Sequence, residues 1–154
     1  MEEGAVTKVR KILAPTDLSK LSRPALRHAL ELAVEQGATV IVFHVISEDS
    51  DWFAGDDRLN PAIAFLPQQR ERLHEFMKEN FADLMAKVEL TEIVEAGVPY
   101  NRIVEKAQSE NADLIVMSTH GRTGFEQVLL GSVTAKVVAR AACPVLSIRP
   151  PKEH

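Results

Sequence analysis

The run Leu114-Ile-Val-Met117 is apolar at every position and is followed at once by Ser118-Thr-His-Gly121. A strand with one wet face alternates apolar and polar residues; a strand covered on both faces need not. The run therefore calls for a sheet with helices on both sides, which places the chain among the α/β folds. Gly131-Ser132, just before a helical-looking stretch, adds a second constraint. A strand that ends in a glycine-bearing loop and leads to a helix start presents free N–H groups, a recurring arrangement for phosphate. Gly121 and Gly131 let backbone approach a ligand closely, and Ser132 offers either a helix cap or a hydroxyl for a phosphate oxygen. Taken alone, the same glycines also suit ordinary turns.

The remaining segments repeat the strand-then-helix theme. Val9 to Ala14, closed by Pro15, reads as the first strand. Ser19 or Ser22 is expected to cap a helix with Pro24 in its first turn, Leu26, Ala29, Leu30 and Ala33 on one face, and Gln36-Gly37 at its end. Thr39 to Ile46 is the most β-branched run and reads as a central second strand. Ser47 to Pro67 carries Asp49, Asp51, Asp56 and Asp57 with Gly55, Pro61 and Pro67, and reads as a long excursion with little regular structure. Its Trp52, Phe53 and Phe65 suggest packing against something, as a lid or as a partner surface. Gln68 to Lys87 is a long helix with Leu73, Phe76, Met77, Phe81, Leu84 and Val88 on one side. Leu90 to Glu95 is a third strand, and Gly97 with Pro99 leads into a helix through Ile103 and Ala107. A helix from Ser132 to about Ala141 and a fifth strand, Pro144 to Arg149, complete the order. Five strands alternating with helices predict an open, Rossmann-like parallel sheet in one domain spanning 1–154.

Composition narrows the function. At 154 residues the chain suffices for one domain with a real core. A net charge of −4 with scattered basic residues gives no footprint for nucleic acid. No apolar run approaches the roughly 20 residues of a membrane span, and Met1-Glu-Glu-Gly4 does not look like a signal peptide. One cysteine, Cys143, excludes an internal disulfide, reads as a small buried thiol and fits a reducing compartment; a cytoplasmic protein is the expectation.

Two polar clusters follow strands: Pro15-Thr16-Asp17 after the first, and Ser118-Thr119-His120-Gly121 after the fourth. Ligands of open α/β sheets bind beyond the carboxyl ends of strands, where the winding reverses. With the first and fourth strands adjacent, Thr16, Asp17, His120, Gly121 and the helix start at Ser132 would share one crevice suited to a nucleotide-like ligand. The signal is neither a P-loop nor a G-x-G-x-x-G turn. Asp17 suits a ribose hydroxyl or a magnesium ion, and equally a helix cap. His44, inside a strand, reads as a satisfied core histidine. His120 has no second ligand at metal spacing, and no nucleophile–histidine–acid set is present, so neither a catalytic nor a metal site is assigned.

From Lys11-Ile-Leu-Ala-Pro-Thr-Asp-Leu-Ser19 to Pro144-Val-Leu-Ser-Ile-Arg149 the chain resembles the universal stress proteins, in the subgroup that binds ATP. The family signature is Gly, two residues, Gly, nine residues, then Gly-Ser or Gly-Thr; Gly121 and Gly131-Ser132 match its later part, and Ser118 stands where its first glycine would be. The resemblance implies a sheet of order 3-2-1-4-5 holding ATP, AMP or ADP, with Mg arriving on the nucleotide. Pro15, Thr16, Asp17 and Val45 would meet adenine and ribose, Met117, Ser118, His120 and Gly121 would line the ribose and phosphate side, and Gly131, Ser132 and Val133 would hold phosphates. It further implies a homodimer through the fifth strand and a regulatory or signalling role with at most slow hydrolysis. A weak ATPase or phosphotransferase using His120 and Arg122, and a dimer that has lost nucleotide binding, are the alternatives.

Overall fold

The computed structural model describes residues 8–47, 61–121 and 129–151, with the side chains of 61–64 excepted. Five strands, β1 (Lys11–Pro15), β2 (Thr39–Ser47), β3 (Leu90–Gly97), β4 (Leu114–Ser118) and β5 (Val145–Ile148), pair in parallel in the order β3-β2-β1-β4-β5. They alternate with helices α1 (Arg23–Gln36), α2 (Pro61–Met85), α3 (Pro99–Ser109) and α4 (Ser132–Arg140). The expected α/β class and strand order are both found.

Side chains of alternate residues on each strand go to opposite faces of the sheet, which explains the unbroken apolar runs. Ile12, Ala14, Val40, Val42 and Val116 meet Leu26, Leu30, Leu73, Met77 and Phe81 of α1 and α2 on one face. Their neighbours Leu13, Ile41, Phe43, Ile115 and Met117 meet Ile103 and Ala107 of α3 and Val137 of α4 on the other. Helix α1 ends where Gly37 takes φ +68°, a left-handed geometry that glycine adopts without a Cβ penalty, and its N–H bonds the Ala33 carbonyl.

Two expectations need correction. Helix α2 begins at Pro61, so residues 61–67 are helical rather than part of an irregular excursion. A proline fits the first helical position well, and the helix also carries Pro67. Phe65 lies on this helix and is partly exposed; Trp52 and Phe53 lie outside the described residues. Neither Ser19 nor Ser22 makes a side-chain cap bond. A 3-10 turn (Lys20–Ser22) precedes α1, and the Ser22 hydroxyl instead donates back to the Ser19 carbonyl at 2.7 Å.

Leu30 is fully buried between α1 and the sheet. Leu30→Ala is expected to lower unfolding free energy by about 2–5 kcal/mol in a urea titration; a change below about 1 kcal/mol would contradict this packing.

Candidate functional site

The crevice originates in how β1 leaves its neighbours. The β1–β2 ladder runs as far as Pro15↔Phe43, whereas the β1–β4 register covers only Ile12↔Leu114 and Leu13↔Ile115. Pro15 brings no N–H to extend a ladder. Beyond Leu13 and Ile115 a gap opens at the point where the strand order reverses. A cavity of about 400 Å³ occupies it.

On the β1 side, Pro15, Thr16 and Asp17 line the cavity. The backbone is fixed by a relay of hydroxyls: the Leu18 N–H donates to Thr16 Oγ1 at 3.0 Å, Thr16 Oγ1 to Ser22 Oγ at 2.8 Å, and Ser22 Oγ to the Ser19 carbonyl. The last acceptor is a carbonyl, so the direction of every proton in the relay follows. His44 Nδ1, buried, lies 2.9 Å from the Thr16 carbonyl and must donate to it, so this histidine is satisfied in the core as expected. Asp17 Oδ1 accepts the Ser19 N–H at 2.9 Å, which is the turn-stabilising role. The second oxygen faces the other side of the crevice: a Cβ built on Gly121 would stand 2.9 Å from Asp17 Oδ2. Leu18 sits at φ +64°, a conformation that costs a non-glycine residue about 1–2 kcal/mol. Packing of its side chain against the α1–α2 core offsets that strain.

On the β4 side, Met117, Ser118, His120 and Gly121 line the cavity, and Gly131, Ser132 and Val133 complete it at the start of α4. Two bonds hold α4 against the end of β4. The Gly131 N–H donates to the Thr119 carbonyl at 2.6 Å, and Thr134 Oγ1 donates to the Ser118 carbonyl at 2.8 Å. A Cβ on Gly131 would come within 3.2 Å of the Thr119 oxygen, so glycine is favoured there by closeness of backbone rather than by its dihedral angles, φ −63° and ψ 161°. Gly131 is itself the N-cap residue, which removes the cap from the two roles open to Ser132: Ser132 is the first residue of the helix. Ala135 makes the bond back to the Gly131 carbonyl, so the amides of Ser132, Val133 and Thr134 precede the intrahelical ladder. Ser118 has no left-handed backbone, since Leu18 and Asn111 are the non-glycine residues with positive φ among those described. His120 is buried, with Nδ1 2.9 Å from Thr119 Oγ1.

Val45 of β2 closes the apolar side, so all eleven residues singled out in the sequence border one cavity. The sequence reading missed Ser22, Phe43, Ser47, Pro99, Ile103 and Thr134, which border it too. Phe43 was detectable in principle, because it is two residues from Val45 on the same face of β2. Pro99 and Ile103 depend on where α3 lands, and no local signal marks that. Arg122 lies outside the described residues. Cys143 is half-buried and burial pushes its thiol pKa up, with Asp113 adding in the same direction, consistent with an unreactive structural thiol. Among the described residues no helix is long and apolar enough to cross a membrane, and no three His, Cys, Asp or Glu side chains group as metal ligands would.

The profile of the universal stress protein family matches residues 8–149. The chain belongs to the universal stress protein family. Universal stress protein MJ0531 of Methanocaldococcus jannaschii is 39% identical over 157 residues, covering 94% of this chain and 85% of that protein. The solved structure of MJ0577, from the same organism, superposes with a TM-score of 0.81 at 30% identity, over 96% of this chain and all of that one. A universal stress protein from Archaeoglobus fulgidus, solved in complex with dAMP, shares the fold with a TM-score of 0.60 at 21% identity, over 93% of this chain and 99% of that one.

Thr134 is buried and holds a buried carbonyl. Thr134→Val keeps the shape and removes the donor, which is expected to cost about 1–3 kcal/mol in chemical denaturation. Thr134→Ser should recover most of the loss, and equal stability of all three proteins would contradict the assigned bond.

Proposed function

We propose that this universal stress protein binds an adenine nucleotide, ATP or its shorter relatives AMP and ADP, in the crevice between the tips of β1 and β4. Occupancy would set the state of a homodimer with a regulatory or signalling role in the cytoplasm. The observation that carries the reading is the two-sided chemistry of one cavity. Phe43, Val45 and Met117 give it an apolar flank, while Asp17, two closely packed glycines and the first turn of α4 give it a polar one. A cavity of about 400 Å³ is within the range of small-molecule sites.

Each part of a nucleotide has a matching group. The base would lie against Val45 and Met117, with Pro15 and Thr16 at its edge. The Asp17 carboxylate would accept ribose hydroxyl hydrogens while its other oxygen keeps the Ser19 amide. His120 and Gly121 would border the ribose and the first phosphate, and the amides of Ser132 and Val133, with the Ser132 hydroxyl, would take phosphate oxygens close to the Cβ-free Gly131, whose own N–H stays on the Thr119 carbonyl. A helix N-terminus favours an anion through its unbonded N–H groups and its partial positive charge. The glycines support this arrangement, since a Cβ at either 121 or 131 would intrude on groups already in place. Mg would come with the phosphates. The Archaeoglobus protein bound to dAMP adds support for an adenine nucleotide as the ligand class.

The homodimer would form through β5, the edge strand beyond β4, whose four residues are half-buried. An edge of unpaired N–H and C=O groups is a surface that proteins normally cover.

Mass analysis of extracts from the freshly purified protein is expected to find an adenine nucleotide, and light scattering a species of twice the 17.0 kDa chain mass. Gly131→Val, which pushes α4 off the end of β4, should lower affinity for AMP in calorimetry by about tenfold or more while the circular dichroism spectrum persists. Unchanged affinity in that variant would exclude the assigned phosphate site.

A further inference from the structure

An ion pair stands behind the apolar flank of the cavity, on residues that do not border it. Lys106 of α3 and Glu95 of β3 pair through Nζ and Oε2, with side chains only 19% and 31% exposed. The sheet places both. Glu95 lies opposite Val45 in the β2–β3 register and Ile93 opposite Phe43, and residues paired in this way share a face. Lys106 follows Ile103 by about one turn on the helix that covers that face. Phe43, Val45 and Ile103 border the cavity, whereas Glu95 and Lys106 do not.

The ammonium has a second neighbour. Lys106 Nζ lies 5.5 Å from the centroid of the Phe43 ring, within the range at which a cation is drawn to an aromatic face. Phe43 is fully buried, and such a contact is stronger where water is largely shut out. An ion pair taken largely out of water adds little stability, because desolvation offsets the attraction. What this pair does is fix position: Glu95 holds the ammonium, and the ammonium holds the ring. We infer that Lys106 is a positioning residue for base recognition, acting through Phe43 to set the apolar slot that receives the adenine ring. This rests on the adenine-nucleotide reading above. It makes recognition of the base answer to a charge outside the cavity.

Calorimetric titration of the wild type, Lys106→Met and Lys106→Arg with AMP and with adenosine tests the assignment, with thermal melts to establish that each protein is folded. Lys106→Met keeps an unbranched side chain and removes the charge. It is expected to weaken AMP and adenosine by the same factor, about threefold to tenfold, the scale of a shielded cation–ring contact. Lys106→Arg keeps the charge and should bind both ligands within about twofold of the wild type. In NMR spectra of the AMP complex, nuclear Overhauser contacts from the Phe43 ring to adenine protons are expected in the wild type and Lys106→Arg, and weakened in Lys106→Met. Glu95→Gln loosens the ammonium without altering α3; it should lose AMP affinity in the same direction and carries the test if Lys106→Met does not fold. A loss below about threefold in the folded Met variant, a loss confined to AMP, or no recovery with Arg would overturn the inference. A wild-type AMP complex without the Phe43–adenine contacts would do the same, and in each of these cases the nucleotide site would stand. A wild type that binds neither ligand would overturn the nucleotide reading itself, and this assignment with it.

Discussion

The site depends on the fastening of α4 to the end of β4. One backbone bond, Gly131 N–H to the Thr119 carbonyl, and one side-chain bond, Thr134 to the Ser118 carbonyl, bring a helix start to a strand tip across more than ten residues of intervening chain. Without them the first-turn amides would face solvent at no defined place. With them the amides stand beside Ser118 and Gly121, opposite Asp17. The bond to Gly131 also explains the glycine: the two backbones are so close that a methyl group would meet the carbonyl oxygen.

The opposite wall is held by different means. Thr16, Leu18, Ser19 and Ser22 pass hydrogen bonds among themselves, and His44 reaches over from β2 to the Thr16 carbonyl. Asp17 emerges from this frame with one oxygen committed to the turn and the other directed at Gly121. In place of the helix cap expected of it, Asp17 holds a turn through the Ser19 amide, a role that leaves its second oxygen compatible with a ligand contact. The strained Leu18 backbone adjoins it, and strain of this kind persists where surrounding packing over-determines the conformation. The gap between the walls is a consequence of sheet topology, since β1 sends its chain to β2 and takes β4 as its other neighbour.

Much of this was legible in the sequence for a physical reason. Strands buried on both faces have to be apolar throughout, so β2 and β4 announced a covered parallel sheet. Glycine at 121 and 131 marked close approach, and polar residues at strand ends marked the crevice. What escaped reading were relations between segments. Ser22 and Thr134 look like ordinary helix-start residues, yet their partners are Thr16 and the Ser118 carbonyl, the latter 16 positions away in the chain. Pro61 and Pro67 suggested an irregular stretch because proline usually interrupts helices, but one of them occupies the helix start. Pro99 and Ile103 line the cavity only because α3 packs beside α4 on that face of the sheet.

The central claim is that the first-turn amides of α4 meet an anion, and backbone NMR during titration with AMP reads this directly. The account predicts that the amide signals of Ser132 and Val133 shift strongly and become protected from hydrogen exchange on adding AMP, with far smaller changes on adding adenosine. Saturation by AMP with those two amides unmoved would contradict it.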